Sequence, residues 1–279
     1  MITTSTQVPY LSETSPYICI PEHIILKDNK IETELNNCNF ENENFSIFLK
    51  ILTSLANCNL HQLLSSSTKE KIYFIGEKLR IRKTSYKETP LSVSITGESI
   101  LESQRRGKTR LKVMDAISEE TTYTFELDHY ILTKESFKNL YKNYFEPNIV
   151  MYYDETLPES KITQINPEHQ FTIAINPFTP NQCKGHFENF PIVPFVFVTS
   201  CIVKEIFNFF GSDKVHEIEN LEGYPSKAIP IETQLEVDVF YQKFLQDLTY
   251  IKCEIKDSLG ILYATLMINL KSKAGKQKI

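Results

Sequence analysis

The sequence predicts an α+β protein made of two diverged copies of one unit, each copy a long apolar helix followed by antiparallel strands. Three observations predict it. Short segments recur at a nearly constant offset, each recurrence leads into an apolar stretch of helical period, and each such stretch is followed by runs of alternating polarity.

The recurrences come in one order. Pro21-Glu22-His23 returns as Pro167-Glu168-His169, 146 residues on, and Phe40-Glu41-Asn42 as Phe187-Glu188-Asn189, 147 on. Thr53-Ser54 returns as Thr199-Ser200 after 146 residues, and Glu88-Thr89, which opens ETPLSVSI, returns as Glu232-Thr233, which opens ETQLEVDV, after 144. One such match is chance; four in order at near-constant offset indicate a duplication. The expected units are residues 1–148 and 149–279, the first degenerate.

The elements follow in the same order in both copies. A short strand is expected over Lys30 to Leu35 and over Phe171 to Ile175. A long helix follows, over Phe45 to Leu64 and over Phe195 to Phe210. In the second helix Phe195, Val198, Thr199, Ile202, Val203 and Ile206 fall on i, i+3, i+4 spacing, and Val196, Phe197, Phe207 and Phe209 widen the stripe until most of the circumference is apolar. Such a helix is central and buried. Period-two strands come next: Ile72 to Ile81, Leu91 to Glu98, Arg110 to Ala116 and Thr121 to Leu132, then Glu217 to Glu222, Thr233 to Tyr241, Leu248 to Lys256 and Ile261 to Leu270. A sheet wrapped round a greasy helix buries it, and joining two such sheets edge to edge covers two exposed edges.

Composition narrows the function classes. The formal net charge is -5 with a pI near 5.8, which argues against nucleic acid as a general partner. The most apolar stretch, Pro191 to Phe210, opens on two prolines and carries Lys204 and Glu205, so a buried helix is expected rather than a membrane span. The N-terminus lacks a secretory pattern, and the basic end KSKAGKQKI reads as a solvated tail. Cys19, Cys38, Cys58, Cys183, Cys201 and Cys253 lie far apart with no CxxC pair. That fits reduced thiols in a cytoplasm better than a zinc site or disulfides. Arg105, Arg106 and Arg110 mark the basic stretch RRGKTR, readable as a solvated hairpin turn or as a docking patch for an acidic carrier protein. The scattered glycines form no phosphate-binding loop, and no serine sits in a GxSxG elbow.

The stretch NPFTPNQCKGHFENFPIVP, residues 176–194, carries the chemistry. Gly185, His186, Phe187, Pro191 and Pro194 resemble, at the correct spacing, the signature of the 3-hydroxyacyl-acyl-carrier-protein dehydratase branch of the hotdog superfamily. The resemblance covers the second half by motif and element order, and the first half only through the repeat. It implies a double hotdog, two long central helices wrapped by a shared antiparallel sheet, acting on acyl groups held as thioesters on coenzyme A or an acyl carrier protein. It implies no cofactor, and it leaves open homo- or hetero-oligomers with other hotdog proteins. In the family's chemistry His186 would take the α-carbon proton. The N–H groups of Phe195 and Val196, at a helix N-terminus, would hold the thioester oxygen, and a carboxylic acid of the partner unit would protonate the leaving hydroxyl.

The motif departs from the family at four places. Phe195 and Asn189 stand where the family has Gly, the acidic position is Ser200, and the repeat offers Thr53 or Ser54 where the acid facing His186 should be. Asn39 replaces His186 in the first copy, so at most one site is expected. His23 and His169 read as turn residues, His61 as a helix-end residue, and His129 and His216 carry no signal. Three functions follow: a dehydratase of fatty-acid or polyketide type lacking its acid; a thioesterase in which Thr53, Ser54 or Asn57 orients a water beside His186; or a non-catalytic acyl-binding scaffold, its tunnel plugged by Phe195, that partners an active dehydratase.

Overall fold

The computed structural model describes residues 11–36, 44–64, 70–85, 90–147, 149–166, 169–211, 214–245 and 247–274. The repeats at Phe40-Glu41-Asn42, Glu88-Thr89 and Pro167-Glu168, together with Cys38, Asn39, the first ten residues and the last five, lie outside the described residues.

The first half runs β1 (Ile24–Lys27), β2 (Lys30–Asn36), α1 (Asn44–Leu64), β3 (Ile72–Lys83), β4 (Ser92–Ser103), β5 (Arg106–Asp115) and β6 (Thr121–Thr133), then a short α2 (Lys134–Leu140). The second half runs β7 (Ser160–Asn166), β8 (Gln170–Ile175), the two-residue β9 (Ile192–Val193), α3 (Phe195–Phe210), β10 (Lys214–Pro225), β11 (Ile229–Pro230), β12 (Leu235–Lys243), β13 (Leu248–Asp257) and β14 (Leu262–Ala274). Twelve strands form one sheet in the order β1-β2-β4-β5-β6-β3-β10-β14-β13-β12-β8-β7, with every neighbouring pair antiparallel. Read inward from either edge, the halves have the same order, and β3 meets β10 in the middle.

The alternation of the strands explains which face is covered. In β8, β12 and β13 every second residue is buried: Phe171, Ile173 and Ile175; Leu235, Val237 and Val239; Ile251, Cys253 and Ile255. Their partners on the other face are polar or half-exposed. Against the covered face lie α1 and α3, which also touch each other. Phe45, Phe48, Leu49, Leu52, Leu55 and Leu60 of α1 and Val198, Ile202, Val203 and Ile206 of α3 are all buried. Each large side chain so buried contributes about 1.5–3 kcal/mol. The bulges repeat as well, because β3 shifts register at Glu77 against β6 and β10 shifts at Glu219 against β14.

The seam is charged as well as hydrogen-bonded. Leu79, Arg80, Ile81 and Arg82 of β3 pair with Gly223, Glu222, Leu221 and Asn220 of β10. Arg80 clasps Glu222 with two N–H groups, at 2.9 and 3.3 Å. Lys83 is bonded to Glu217, both side chains almost fully buried. No helix among the described residues is long and apolar enough to cross a membrane.

Candidate active site

A cavity of about 450 Å³ opens where the halves meet, lined by the chain before β1, by α1, β3 and β6, and by the motif loop and first turn of α3. His186 is on its wall. The loop that carries it is held by two left-handed residues. Gly185 has φ +88°, and a methyl group there would come within 2.5 Å of the Thr14 carbonyl oxygen, so only glycine fits. Asn189, at the second family glycine, has φ +61°, a conformation asparagine tolerates better than most residues. That departure from the motif keeps the backbone shape.

His186 stacks on Phe187, ring centroids 3.9 Å apart, and meets the Tyr17 ring at 4.7 Å. Its Nδ1 is 3.0 Å from the Ile192 carbonyl oxygen. A carbonyl only accepts, so Nδ1 carries the proton and Nε2 keeps its lone pair. Burial pushes the imidazole down to about 4, opposed by the bond to Ile192, so the ring is neutral at pH 7.

Pro194 ends the loop as the N-cap of α3, with no side-chain cap. The N–H groups of Phe197 and Val198 turn back to the Pro194 carbonyl, at 3.0 and 3.5 Å. Among the described residues no acceptor is recorded for the N–H of Phe195 or Val196, and both residues line the cavity. The Phe195 ring lies over Gly223 of β10, where a methyl group would come within 2.7 Å of it. A glycine on the sheet therefore makes room for the phenyl ring that replaces the family's glycine, and the ring forms wall rather than plug.

Other candidates are engaged elsewhere. Ser200 donates its hydroxyl to the Val196 carbonyl at 2.8 Å and does not line the cavity. Ser54 donates to the Lys50 carbonyl and accepts the Cys19 N–H at 3.0 Å, fastening the N-terminal segment. Thr53 lines the cavity, but its hydroxyl donates to Leu49 at 2.9 Å. Asn57 also lines the cavity, with both ends of its amide in use: Nδ2 donates to Glu13 at 3.0 Å, and Oδ1 is 2.7 Å from Nε2 of His129. The basic stretch forms the β4–β5 turn and the start of β5. Arg106 pairs with Glu77 at 3.1 Å and Arg110 with Glu126 at 3.0 Å, so two of the three arginines are already matched.

Sequence reasoning missed Glu13 and His129. Glu13 is 4% exposed, lines the cavity, and accepts from the Ser12 hydroxyl at 2.9 Å as well as from Asn57. Burial raises its carboxyl to about 7, with the Ser12 bond opposing. The Asn57 oxygen accepts from Nε2–H of His129, which leaves His129 Nδ1 without a hydrogen-bond partner among the described residues. Burial pushes that imidazole down to about 3, so it stays neutral.

No protein-family model matches the sequence, and no curated protein matches it. Solved structures do match in three dimensions. The 12:0-ACP thioesterase from Umbellularia californica superposes with a TM-score of 0.59 at 8% identity, over 88% of this chain and 94% of that one. A structure named as an oleoyl thioesterase from Lactobacillus plantarum gives 0.56 at 8% identity, over 88% and 96%. The tesB protein of Mycobacterium avium subs paratuberculosis gives 0.52 at 8% identity, over 90% and 96%. The loop that carries His186 is thus set in an architecture that thioesterase structures share along nearly their whole length. At such identity the likeness is one of fold, and the fold the chain shares with these structures is the hotdog fold.

Proposed function

We propose that the protein hydrolyses acyl thioesters carried on coenzyme A or an acyl carrier protein, with residues 1–148 and 149–279 as two hotdog repeats that share one site. The observation that carries this reading is the neutral His186. Its Nδ1–H is pinned to Ile192, and its Nε2 lone pair is left in a cavity that also contains the start of α3. There Nε2 holds the attacking water by one hydrogen. The N–H groups of Phe195 and Val196 receive the carbonyl oxygen as it gains charge, where the unpaired donors of a helix N-terminus are most effective. Hydrolysis in this form needs no cofactor. The architecture shared with thioesterase structures supports the same choice.

One observation favours dehydration of a 3-hydroxyacyl thioester as the second reading. The cavity does contain a carboxylic acid, Glu13, which the motif left without a counterpart. Mass spectrometry separates the two. Incubation with saturated and 3-hydroxyacyl thioesters of coenzyme A should release free thiol and fatty acid from both, and His186→Ala should lower that rate by ~10²–10⁴-fold. Loss of water without thiol release would overturn hydrolysis.

A further inference from the structure

We infer that Glu13 is the general base of this hydrolysis, delivered to the site by the segment that precedes β1 at the start of the first repeat. The inference rests on the hydrolase reading above and adds the group that reading lacks.

Geometry carries it. The Ser12 N–H bonds to the Ile72 carbonyl at 3.0 Å, and the Thr14 N–H bonds to the Gly185 carbonyl at 2.7 Å. Glu13 and His186 are therefore each one residue from the same hydrogen bond, and both line the same cavity. The missing Cβ of Gly185 is what lets the segment approach so closely. Each carboxylate oxygen has one fixed donor, Asn57 on Oε1 and the Ser12 hydroxyl on Oε2. A carboxylate has about four acceptor sites, so two donors orient it and leave room for a water. Asn57 is itself held by His129, which fixes which end of its amide faces the acid.

The charged and titratable groups round Glu13 leave it as the one that changes state near neutrality. Tyr17 on its own segment and Tyr73 on β3 are raised by burial, with Glu13 contributing to both. Cys58 on α1 is pushed up to about 12, His129 on β6 down to about 3, and His186 down to about 4. A base works best when its pKa lies near the working pH, and His186 is far below it.

The step balances. The water oxygen bonds to the thioester carbon and its proton passes to the Glu13 carboxylate, while Nε2 of His186 accepts the second hydrogen as a hydrogen bond. The oxyanion rests on the N–H groups of Phe195 and Val196. As it collapses the C–S bond breaks, and the departing thiolate takes the proton from Glu13. Water and thioester become carboxylic acid and thiol, and the carboxylate is restored.

The test is kcat/KM against pH for the full chain with lauroyl- and palmitoyl-coenzyme A. The base must be ionised, so wild-type activity should rise with pH through about 7. Glu13→Gln should cut kcat ~10²–10⁴-fold with KM little changed and abolish that rise. It should also fold at least as stably as wild type at alkaline pH. A carboxyl whose folded pKa is raised stabilises the fold at low pH and loses that contribution as pH passes through the folded value. A purely structural Glu13 would show the opposite, a loss of stability. Ser12→Ala removes a donor that favours the ionised form, so it should move the rise to higher pH, and it decides the matter if Glu13→Gln does not fold. A Glu13→Gln enzyme with wild-type turnover and the same rise, or a Ser12→Ala enzyme with the rise unmoved, overturns the inference while wild-type hydrolysis stands. Absence of any thioester hydrolysis by wild type overturns the hydrolase reading, and Glu13 as base with it.

Discussion

Lys83→Met should destabilise the protein by about 3 kcal/mol, at the low end of the ~3–5 kcal/mol typical when one partner of a buried ion pair is removed. Lys83 and Glu217 bond across the β3–β10 seam with side chains 2% and 5% exposed. Removing Lys83 leaves Glu217, among the described residues, with Lys273, 3.5 Å away and nearly half exposed, a weaker partner that softens the loss. Glu217→Leu strands the ammonium with no comparable substitute among the described residues, so its cost should be larger, about 4 kcal/mol. The double variant replaces both charges with apolar groups and should return to within about 1 kcal/mol of wild type, for a coupling of at least ~6 kcal/mol. Urea unfolding measures all four proteins, and at ~2–4 °C per kcal/mol the first variant should melt roughly 6–12 °C lower. Single variants that cost under ~1 kcal/mol and simply add would refute the idea that the two half-sheets are locked through this pair.

Two further predictions follow from the site and its surroundings. Gly185→Ala meets both a left-handed backbone and the Thr14 carbonyl, so it should cost at least ~1–3 kcal/mol in thermal unfolding and expose residues 11–19 to limited proteolysis. Reversing Arg105, Arg106 and Arg110 to Glu breaks exposed pairs worth ~0–1 kcal/mol each, and should leave affinity for an acidic carrier protein within about twofold, as measured by titration calorimetry. A larger loss of affinity would make this turn the docking patch.

Much of the fold is legible in the sequence because most of its elements carry their own periodicity. The run from Phe195 to Phe210 reads as a buried helix and is α3, residue for residue. The alternation in Thr121 to Leu132 reads as β6 to within one residue. Five elements were not legible, two of them the two-residue β9 and β11. In β7 (SKITQIN) no residue is buried, and β1 is four residues long, so neither carries a two-residue pattern strong enough to detect. The seven residues of α2 bury only Phe137, which packs against Tyr73, Phe187 and Phe190 from both halves. His186 was legible because its motif is local. Glu13 was not, because SETSP reads as a polar turn and the residue's position depends on a hydrogen bond from Thr14 to a residue far along the chain. His129 was hidden for the same reason, since only Asn57, on another element, gives its ring nitrogen a purpose.

The seam between β3 and β10 also bears on synthesis. The inner edge of β3 is finished long before its partner exists, since β10 begins at Lys214 and β3 at Ile72. At ~5–20 residues per second that edge waits roughly 7–28 s with its backbone unpaired. Nascent chains on neighbouring ribosomes present the same edge to one another. Lys78, Arg80, Arg82 and Lys83 make it cationic, whereas β10 offers Glu217, Glu219 and Glu222. Two copies of β3 would repel, and a copy meeting its own β10 is drawn in by Arg80 on Glu222 and Lys83 on Glu217. Charge sorted in this way guards the growing polypeptide against clumping with its siblings until its own second half arrives.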